Sequence, residues 1–285
     1  MSSFTRAARR LFFLPFVATV VAPAAAQITP PAGYIYAAQL LGSPTQNCIA
    51  TGPGGTFVAI GPGFSANAQA VVLVRESGDK RLVAFGFSSI GDCTYDAAAD
   101  VLYISDNADA DDVPGALTGD TVFAVPAAST ASGLLATDLE LLPAGSIPFA
   151  SSVALHSSGD LLVGDAAGSG AGTVLRIAPG PAISTFASDF DFTGGIAVDP
   201  LSGDVFIAET RATFDAQIHQ FDSAGSAVAE PLLGPTFAVG SSDLLFLATG
   251  ELLASGVFFG DVSAIDVATA SPTLFVGGLT FAGGM

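Results

Sequence analysis

A unit of about 45 residues recurs five times along this chain, and nothing else in the sequence limits the fold so tightly. Each copy joins an inner apolar stretch to a second one that ends in a small or acidic residue. The clearest copy reads Gly194-Gly195-Ile196-Ala197-Val198-Asp199-Pro200, then Gly203-Asp204-Val205-Phe206-Ile207-Ala208-Glu209. Aligned on the end of the second stretch, the copies place Gly61, Asp106, Asp165, Glu209 and Gly256 at equivalent positions, 45, 59, 44 and 47 residues apart. A unit of this length holds about four short strands and cannot bury both its faces alone, so neighbouring units must cover one another.

The strand pattern agrees. Second strands fall at 57–60, 102–105, 161–164, 205–208 and 252–255. Third strands follow at 70–74, 121–125, 173–177, 217–221 and 262–265, and weaker fourth strands at 82–85, 139–142, 183–186 and 273–276. Gly and Pro punctuate between them, and no stretch sustains a helical period. The expected fold is all-β: a β-propeller of five full four-stranded blades plus an incomplete sixth. The expectation of a ragged sixth blade comes from residues 275–285, which align without gaps to 186–196, so that Met285 sits where a new inner strand would begin. Residues 34–38, Tyr-Ile-Tyr-Ala-Ala, read as an orphan outer strand ahead of the first copy. On this reading the chain stops short of the inner strands of its sixth blade, as if truncated at its C-terminus.

Residues 1–26 are read apart from that domain, which is expected to span 27–285. Arg6, Arg9 and Arg10 make a basic start, residues 11–21 are almost wholly apolar, and Ala24-Ala25-Ala26 supplies an A-x-A cleavage site, the pattern of an export signal. Arg9-Arg10-Leu11-Phe12-Phe13 also has a twin-arginine character. The expected location is therefore extracellular or periplasmic. Without residues 1–26, five basic residues face 26 carboxylates, a balance that repels nucleic acid and anionic lipid. Mean hydropathy is +0.61, yet beyond the signal every apolar run is cut by Gly, Pro, Ser or a charge, as suits buried strands rather than membrane spans. Partners are thus expected among proteins or small molecules, without membrane insertion of the mature chain.

The repeats resemble NHL-type and gluconolactonase-like six-bladed propellers, on the strength of GGIAVDPLSGDVFIAET at residues 194–210 and its weaker copies over about 45–285. The resemblance implies the scaffold first, because that scaffold carries binding modules as well as lactonases and other hydrolases. Its gluconolactonase-like members hold one divalent cation in the central channel through a Glu, two Asn and an Asp from different blades. Here the only asparagines are Asn47, Asn67 and Asn107, and Asn47 alone precedes an inner strand suitably, a departure from that pattern.

Several residues are candidates for chemistry. The longest spacing, 59, reflects an insertion at 107–119 that opens with Asp106-Asn107-Ala108-Asp109-Ala110-Asp111-Asp112. Alternating oxygens at Asn107, Asp109 and Asp111 would suit a hard cation such as Ca²⁺, although the loop lacks the glycine and distant glutamate of an EF-hand. The alternative is a solvated acidic loop. Asp106, Asp165 and Glu209, equivalent in three consecutive blades, would form an arc on one face where carboxylates could gather on a metal; alternatively each caps a turn by accepting backbone N–H groups. The only histidines, His156 and His219, read as surface residues, and no G-x-S-x-G elbow exists. Cys48 and Cys93 both lie thirteen positions before their anchors, hence at the same inner-strand position of adjacent blades, and a disulfide is expected in an oxidising compartment; two buried thiols are the alternative. The function that follows is an exported propeller serving as a ligand- or protein-binding scaffold with bound Ca²⁺, the other reading being a metal-dependent lactonase-like hydrolase.

Overall fold

The computed structural model describes residues 48–277 apart from 169, 214, 238–240, 248 and 257–259. Five antiparallel sheets follow one another along the chain. Blade 1 comprises β1 (Ile49–Gly52), β2 (Gly55–Ile60), β3 (Gln69–Val74) and β4 (Lys80–Phe87); blade 2 comprises β5 (Ile90–Asp96), β6 (Val101–Asp106) and β7 (Thr121–Pro126). A two-residue strand, β8 (Leu134–Leu135), leaves blade 2 and pairs in parallel with β4 at the outer edge of blade 1. Blade 3 is β9 (Ala150–Leu155), β10 (Leu161–Asp165), β11 (Gly172–Ala178) and β12 (Ala182–Phe190). Blade 4 is β13 (Phe192–Val198), β14 (Val205–Thr210), β15 (Ala216–Phe221) and β16 (Ala227–Phe237); blade 5 is β17 (Ser241–Phe246), β18 (Leu252–Gly256), β19 (Asp261–Asp266) and β20 (Ser271–Val276).

The alternation of apolar residues decides how the blades stack. Second strands are buried on both faces, β10 (Leu-Leu-Val-Gly-Asp) and β18 (Leu-Leu-Ala-Ser-Gly) along their whole length. Fourth strands face water over most of theirs, as in β12 and β20. Between successive blades lies one apolar layer each. Phe57, Phe87, Leu102 and Phe123 fill the layer between blades 1 and 2, and Phe87 meets Phe123 edge to face with centroids 5.0 Å apart. Ile147, Val153 and Val163 lie between blades 2 and 3, Leu162, Phe190 and Ile207 between blades 3 and 4, and Phe206, Ile218 and Leu252 between blades 4 and 5. Each such side chain, removed from water, contributes about 1.5–3 kcal/mol.

The inner strands pack in sequence, β1 on β5, β5 on β9, β9 on β13 and β13 on β17, which gives the propeller its axis. No comparable packing joins β17 to β1 among the described residues. The segments expected to enter a sixth blade, 34–38 and 278–285, lie outside the described residues, as does the signal at 1–26. The fourth strand expected at 139–142 in blade 2 is present in reduced form, a single antiparallel bridge from Phe123 to Glu140 with Ala124 N donating to Leu139 O and Leu141 N to Val122 O. Leu139 and Leu142 reach into the adjoining apolar layers, and Ala136–Asp138 forms a 3₁₀ turn before them. A fourth strand that the pattern did not mark, β16, completes blade 4.

Cys48 and Cys93 form a disulfide with Cα atoms 5.0 Å apart, linking the inner strands of blades 1 and 2. Both residues are buried. The bond closes a loop of 45 residues, which in the chain-entropy model stabilises by about 4 kcal/mol. Replacing both cysteines by serine should therefore lower the denaturant midpoint by that equivalent, and reductant should do the same to the parent protein only after unfolding exposes the bond.

Candidate functional site

The inner strands begin on one face of the propeller, called here the upper face, where the second strands end. Asp106, Asp165 and Glu209 all stand at that junction, and each accepts hydrogen bonds from the backbone leading into the inner strand of its own blade. Asp106 is fully buried; its Oδ2 accepts from Ser88 N at 2.8 Å, and its Oδ1 from Ser89 N at 2.9 Å and Ala108 N at 3.2 Å. Asp165 Oδ1 accepts from Phe149 N at 3.1 Å, and Glu209 Oε1 from Asp191 N at 2.7 Å. Glu209 Oε2 lies 2.9 Å from His219 Nε2. Each carboxylate thus clasps the first two strands of one blade.

Just inside these clasps every inner strand from blade 2 onward carries a bulge. Its pairing to the second strand slips between Ile90 and Asp92, between Ala150 and Ser152, between Thr193 and Ile196, and between Ser241 and Asp243. A bulge re-aims the side chain beside it. The residues next to the bulges form a layer around the axis: Asp92, Ser152, Gly195 and Asp243. Asp92 and Asp243 are equivalent in geometry, each Oδ1 accepting the N–H of the next residue, Cys93 at 2.6 Å and Leu244 at 2.8 Å. Asp92 Oδ2 also accepts from Val153 N of the neighbouring blade at 3.0 Å. Asp92 is half-buried. Burial, then the Asp243 carboxylate, push its pKa well above the usual carboxylate range. Ser152 Oγ is buried without a hydrogen-bond partner. Asn47, the residue expected at this level in blade 1, lies outside the described residues.

These axial carboxylates escaped the sequence reading because the bulge breaks a fixed offset: Asp92 lies 14 residues before its anchor and Asp243 lies 13 before its own. The local triplets Gly91-Asp92-Cys93 and Ser242-Asp243-Leu244 were the available signal.

The insertion is a built structure. It is tied to the β2–β3 loop of blade 1 by Asn67, whose Nδ2 donates to Gly115 O at 2.9 Å and whose Oδ1 accepts from Leu117 N at 3.0 Å. Behind it, the Thr118 hydroxyl donates to Glu140. Asp109 Oδ1 accepts from Asp111 N at 2.7 Å. The carboxylates that converge are Asp109, Asp112 and Asp120, whose ligand oxygens all lie within 4.8 Å of one another. Asp120 is buried, with φ of 48° at the start of β7, so the end of the loop folds back under its beginning. Asn107 Oδ1 is buried without a hydrogen-bond partner. Of the carboxylates in the expected alternation, Asp109 joins this group and Asp111 does not. Asp106, Asp165 and Glu209 stay apart in their separate clasps, and among the described residues no other group brings three acidic, histidine or cysteine ligands so close.

Both histidines correct the surface expectation: His156 and His219 are 3% and 6% exposed. His219 is held by Glu209 and packs edge to face on Phe190. His156 sits in the β9–β10 turn with Nδ1 2.7 Å from Ser158 Oγ, and Ser158 in turn donates to Asp160, which Arg176 also binds. Burial, then Arg176, hold the His156 pKa below its ordinary value. No helix among the described residues is long and apolar enough to cross a membrane.

No protein-family profile and no curated protein sequence matches the chain. Solved structures do. A chain of the nidogen/laminin complex superposes with a TM-score of 0.61 at 11% identity, over 83% of this chain and 86% of that one. Regucalcin from Agrobacterium tumefaciens strain C58, a calcium-binding protein, superposes with a TM-score of 0.56 at 16% identity, over 81% of this chain and 73% of that one. At such identity the likeness speaks to the β-propeller fold, which it bears out.

The Asp106 clasp is open to test. Burial pushes its carboxyl up to about 6 against the lowering effect of the Ser88, Ser89 and Ala108 N–H groups. A folded pKa above the unfolded value of 3.8 means a contribution to stability that is complete below that value and is lost as pH rises through about 6. Carbon-detected carboxyl titration should place the Asp106 midpoint near 6. Asp106→Ala should lose that pH dependence and cost about 1–3 kcal/mol for each buried N–H left unpaired.

Proposed function

We propose that this protein is an exported β-propeller that binds a protein or small-molecule ligand, with a divalent cation, Ca²⁺ by preference, held on its 107–120 insertion. The observation that carries the cation is the convergence of Asp109, Asp112 and Asp120 within 4.8 Å on a loop that Asn67 pins in place. Three like charges at that distance repel, and a hard cation with six to eight oxygen ligands relieves the repulsion while leaving room for backbone carbonyls and water. The ligand set contains oxygen alone, which suits Ca²⁺ over zinc. Export is supported by the signal-like residues 1–26 and by the Cys48–Cys93 disulfide, a bond at home in an oxidising compartment. One structural neighbour is a calcium-binding protein and another belongs to a protein–protein complex, which accords with both halves of the reading. The acidic balance disfavours nucleic acid as ligand.

A cation that binds only the folded state raises its stability by mass action, about 2.7 kcal/mol at a hundredfold excess over Kd. The melting temperature should therefore rise with Ca²⁺ and return on chelation, and Asp109→Asn with Asp112→Asn should abolish the rise. An unchanged melting temperature, or an equal rise in the double variant, removes the cation from this reading.

A second reading, a lactonase-like hydrolase with its cation in the channel, draws support from the axial layer. Asp92 and Asp243 come from different blades and interact electrostatically, and Ser152 Oγ, next to the bulge of a third blade, lacks a partner. Two carboxylates and a hydroxyl fit part of a cation's shell, and a bound cation would supply polarisation of a carbonyl oxygen. Simple lactones incubated with the protein and Ca²⁺ should then be hydrolysed, with Asp92→Asn abolishing turnover while leaving the insertion's thermal response intact. Absence of hydrolysis above the buffer rate sinks this second reading alone.

A further inference from the structure

The ligand can be given a chemical class, in an inference that deepens the binding reading above and rests on it. On the face opposite the insertion, where the inner strands end, an open cleft of about 480 Å³ lies between the β1–β2 and β3–β4 turns of blade 1. That volume falls within the range of small-molecule sites, about 300–1,000 Å³. Every lining side chain is polar: Thr51 and Thr56 from the first turn, Arg75, Glu76 and Ser77 from the second. Glycines form the rest of the lining, and they set the two turns against each other. A methyl group on Gly55 would come within 2.3 Å of Val74 O and 3.2 Å of Arg75 Cα, so the first turn rests on the backbone that carries Arg75. Gly54, exposed and with φ of 79°, has open space where a side chain would stand. A ligand there meets hydroxyls, charge and bare backbone, and an apolar ligand gains nothing.

Charge narrows the class. Of the four arginines beyond position 26, Arg81 binds the Ala128 and Ser129 carbonyls, Arg176 binds Asp160 and Arg211 pairs with Asp215. Arg75 is exposed, and among the described residues no protein oxygen holds its guanidinium. In a chain with 26 acidic side chains, an unclaimed guanidinium in a cleft is a place for an anion. Its planar fork suits a carboxylate, which it grips with two parallel N–H groups. Glu76 beside it sets the limit: it repels a doubly charged group such as phosphate, and it accepts hydrogen bonds from hydroxyls. Ser77 Oγ donates to Asp79 Oδ2 at 2.9 Å and keeps a lone pair for a further hydroxyl. We infer that this cleft binds a uronic acid, free or within a polysaccharide, a sugar ring that carries one carboxylate among several hydroxyls. The carboxylate lies on Arg75, and the ring hydroxyls reach Glu76, Thr51, Thr56 and Ser77.

The test titrates the full, isotopically labelled chain with glucuronate, glucose, acetate and inorganic phosphate at constant ionic strength, and follows backbone amide shifts by NMR. Glucuronate should move the Gly54, Gly55, Arg75 and Ser77 signals saturably, with a Kd of about 1 mM and about tenfold more tightly than glucose, acetate or phosphate. Arg75→Gln should weaken glucuronate about tenfold, and Glu76→Gln should erase the preference over phosphate. Both side chains are exposed, so neither change removes a core contact. A trimer of galacturonate that binds more tightly than the single sugar acid marks a polysaccharide as the source, and equal binding marks the free acid; either outcome supports the class. Phosphate or acetate binding as tightly as glucuronate, shifts confined to other parts of the chain, or undiminished binding by Arg75→Gln overturns the inference. The Ca²⁺ response of the melting temperature, read on the same samples, fails or succeeds separately: a protein that gains stability with Ca²⁺ yet ignores glucuronate keeps its cation and loses this site.

Discussion

Everything in this molecule depends on how closely five inner strands can approach a common axis. The contacts there are backbone on backbone. A methyl group placed on Gly195 would come within 2.4 Å of Leu244 N, and one on Gly91 within 2.7 Å of Ser151 O. Side chains are excluded at these two positions, and the bulges beside them absorb the extra residue that lets each inner strand bend toward the axis. Because the blades meet so tightly inside, they splay outside, and the wedge between them is what the phenylalanine-rich layers fill. Packing and axis are one constraint seen from two radii.

The clasping carboxylates follow from the same geometry. An inner strand that begins on the upper face leaves its first N–H groups without sheet partners, and a buried unpaired N–H is costly. Asp106, Asp165 and Glu209 each supply the missing acceptor. In blade 1 the equivalent residue is Gly61, with φ of 114°, where an added methyl would sit 2.6 Å from Ala68 O, so close backbone approach replaces the clasp. Equivalence between repeats therefore marks a shared structural need. The groups that depart from the repeat are where chemistry can be sought: the insertion, and the two axial aspartates that share a level with a serine and a glycine.

The all-β architecture, the second and third strands of all five blades and the pairing of Cys48 with Cys93 were legible in the residues, because period, punctuation and a shared offset are local signals. The fourth strand of blade 2 was legible in part, since residues 139–142 pair with β7 through one bridge while Leu139 and Leu142 also serve the neighbouring layers. His219 could not be placed: its burial depends on Glu209 across the sheet and on Phe190 at the close of the preceding blade, neither of which is a sequence neighbour. In the insertion, alternation along the chain suggested Asn107, Asp109 and Asp111, whereas the fold brings Asp120 back beneath Asp109 and Asp112. Spacing describes a loop's contour and says little about where its ends meet.

Blades 1 and 2 are joined at every radius. The disulfide ties their inner strands, Asn67 ties their upper loops, and β8 extends from blade 2 to hydrogen-bond the outermost strand of blade 1. Among the described residues, apolar layers and the Ser151–Thr193 contacts are the main ties between the later blades. Cooperativity along the array is therefore uneven. Amide exchange through partial opening would spread inward from blade 5, and the first two blades would persist as the slowest-exchanging unit, a folded remnant around which the others can part and re-form.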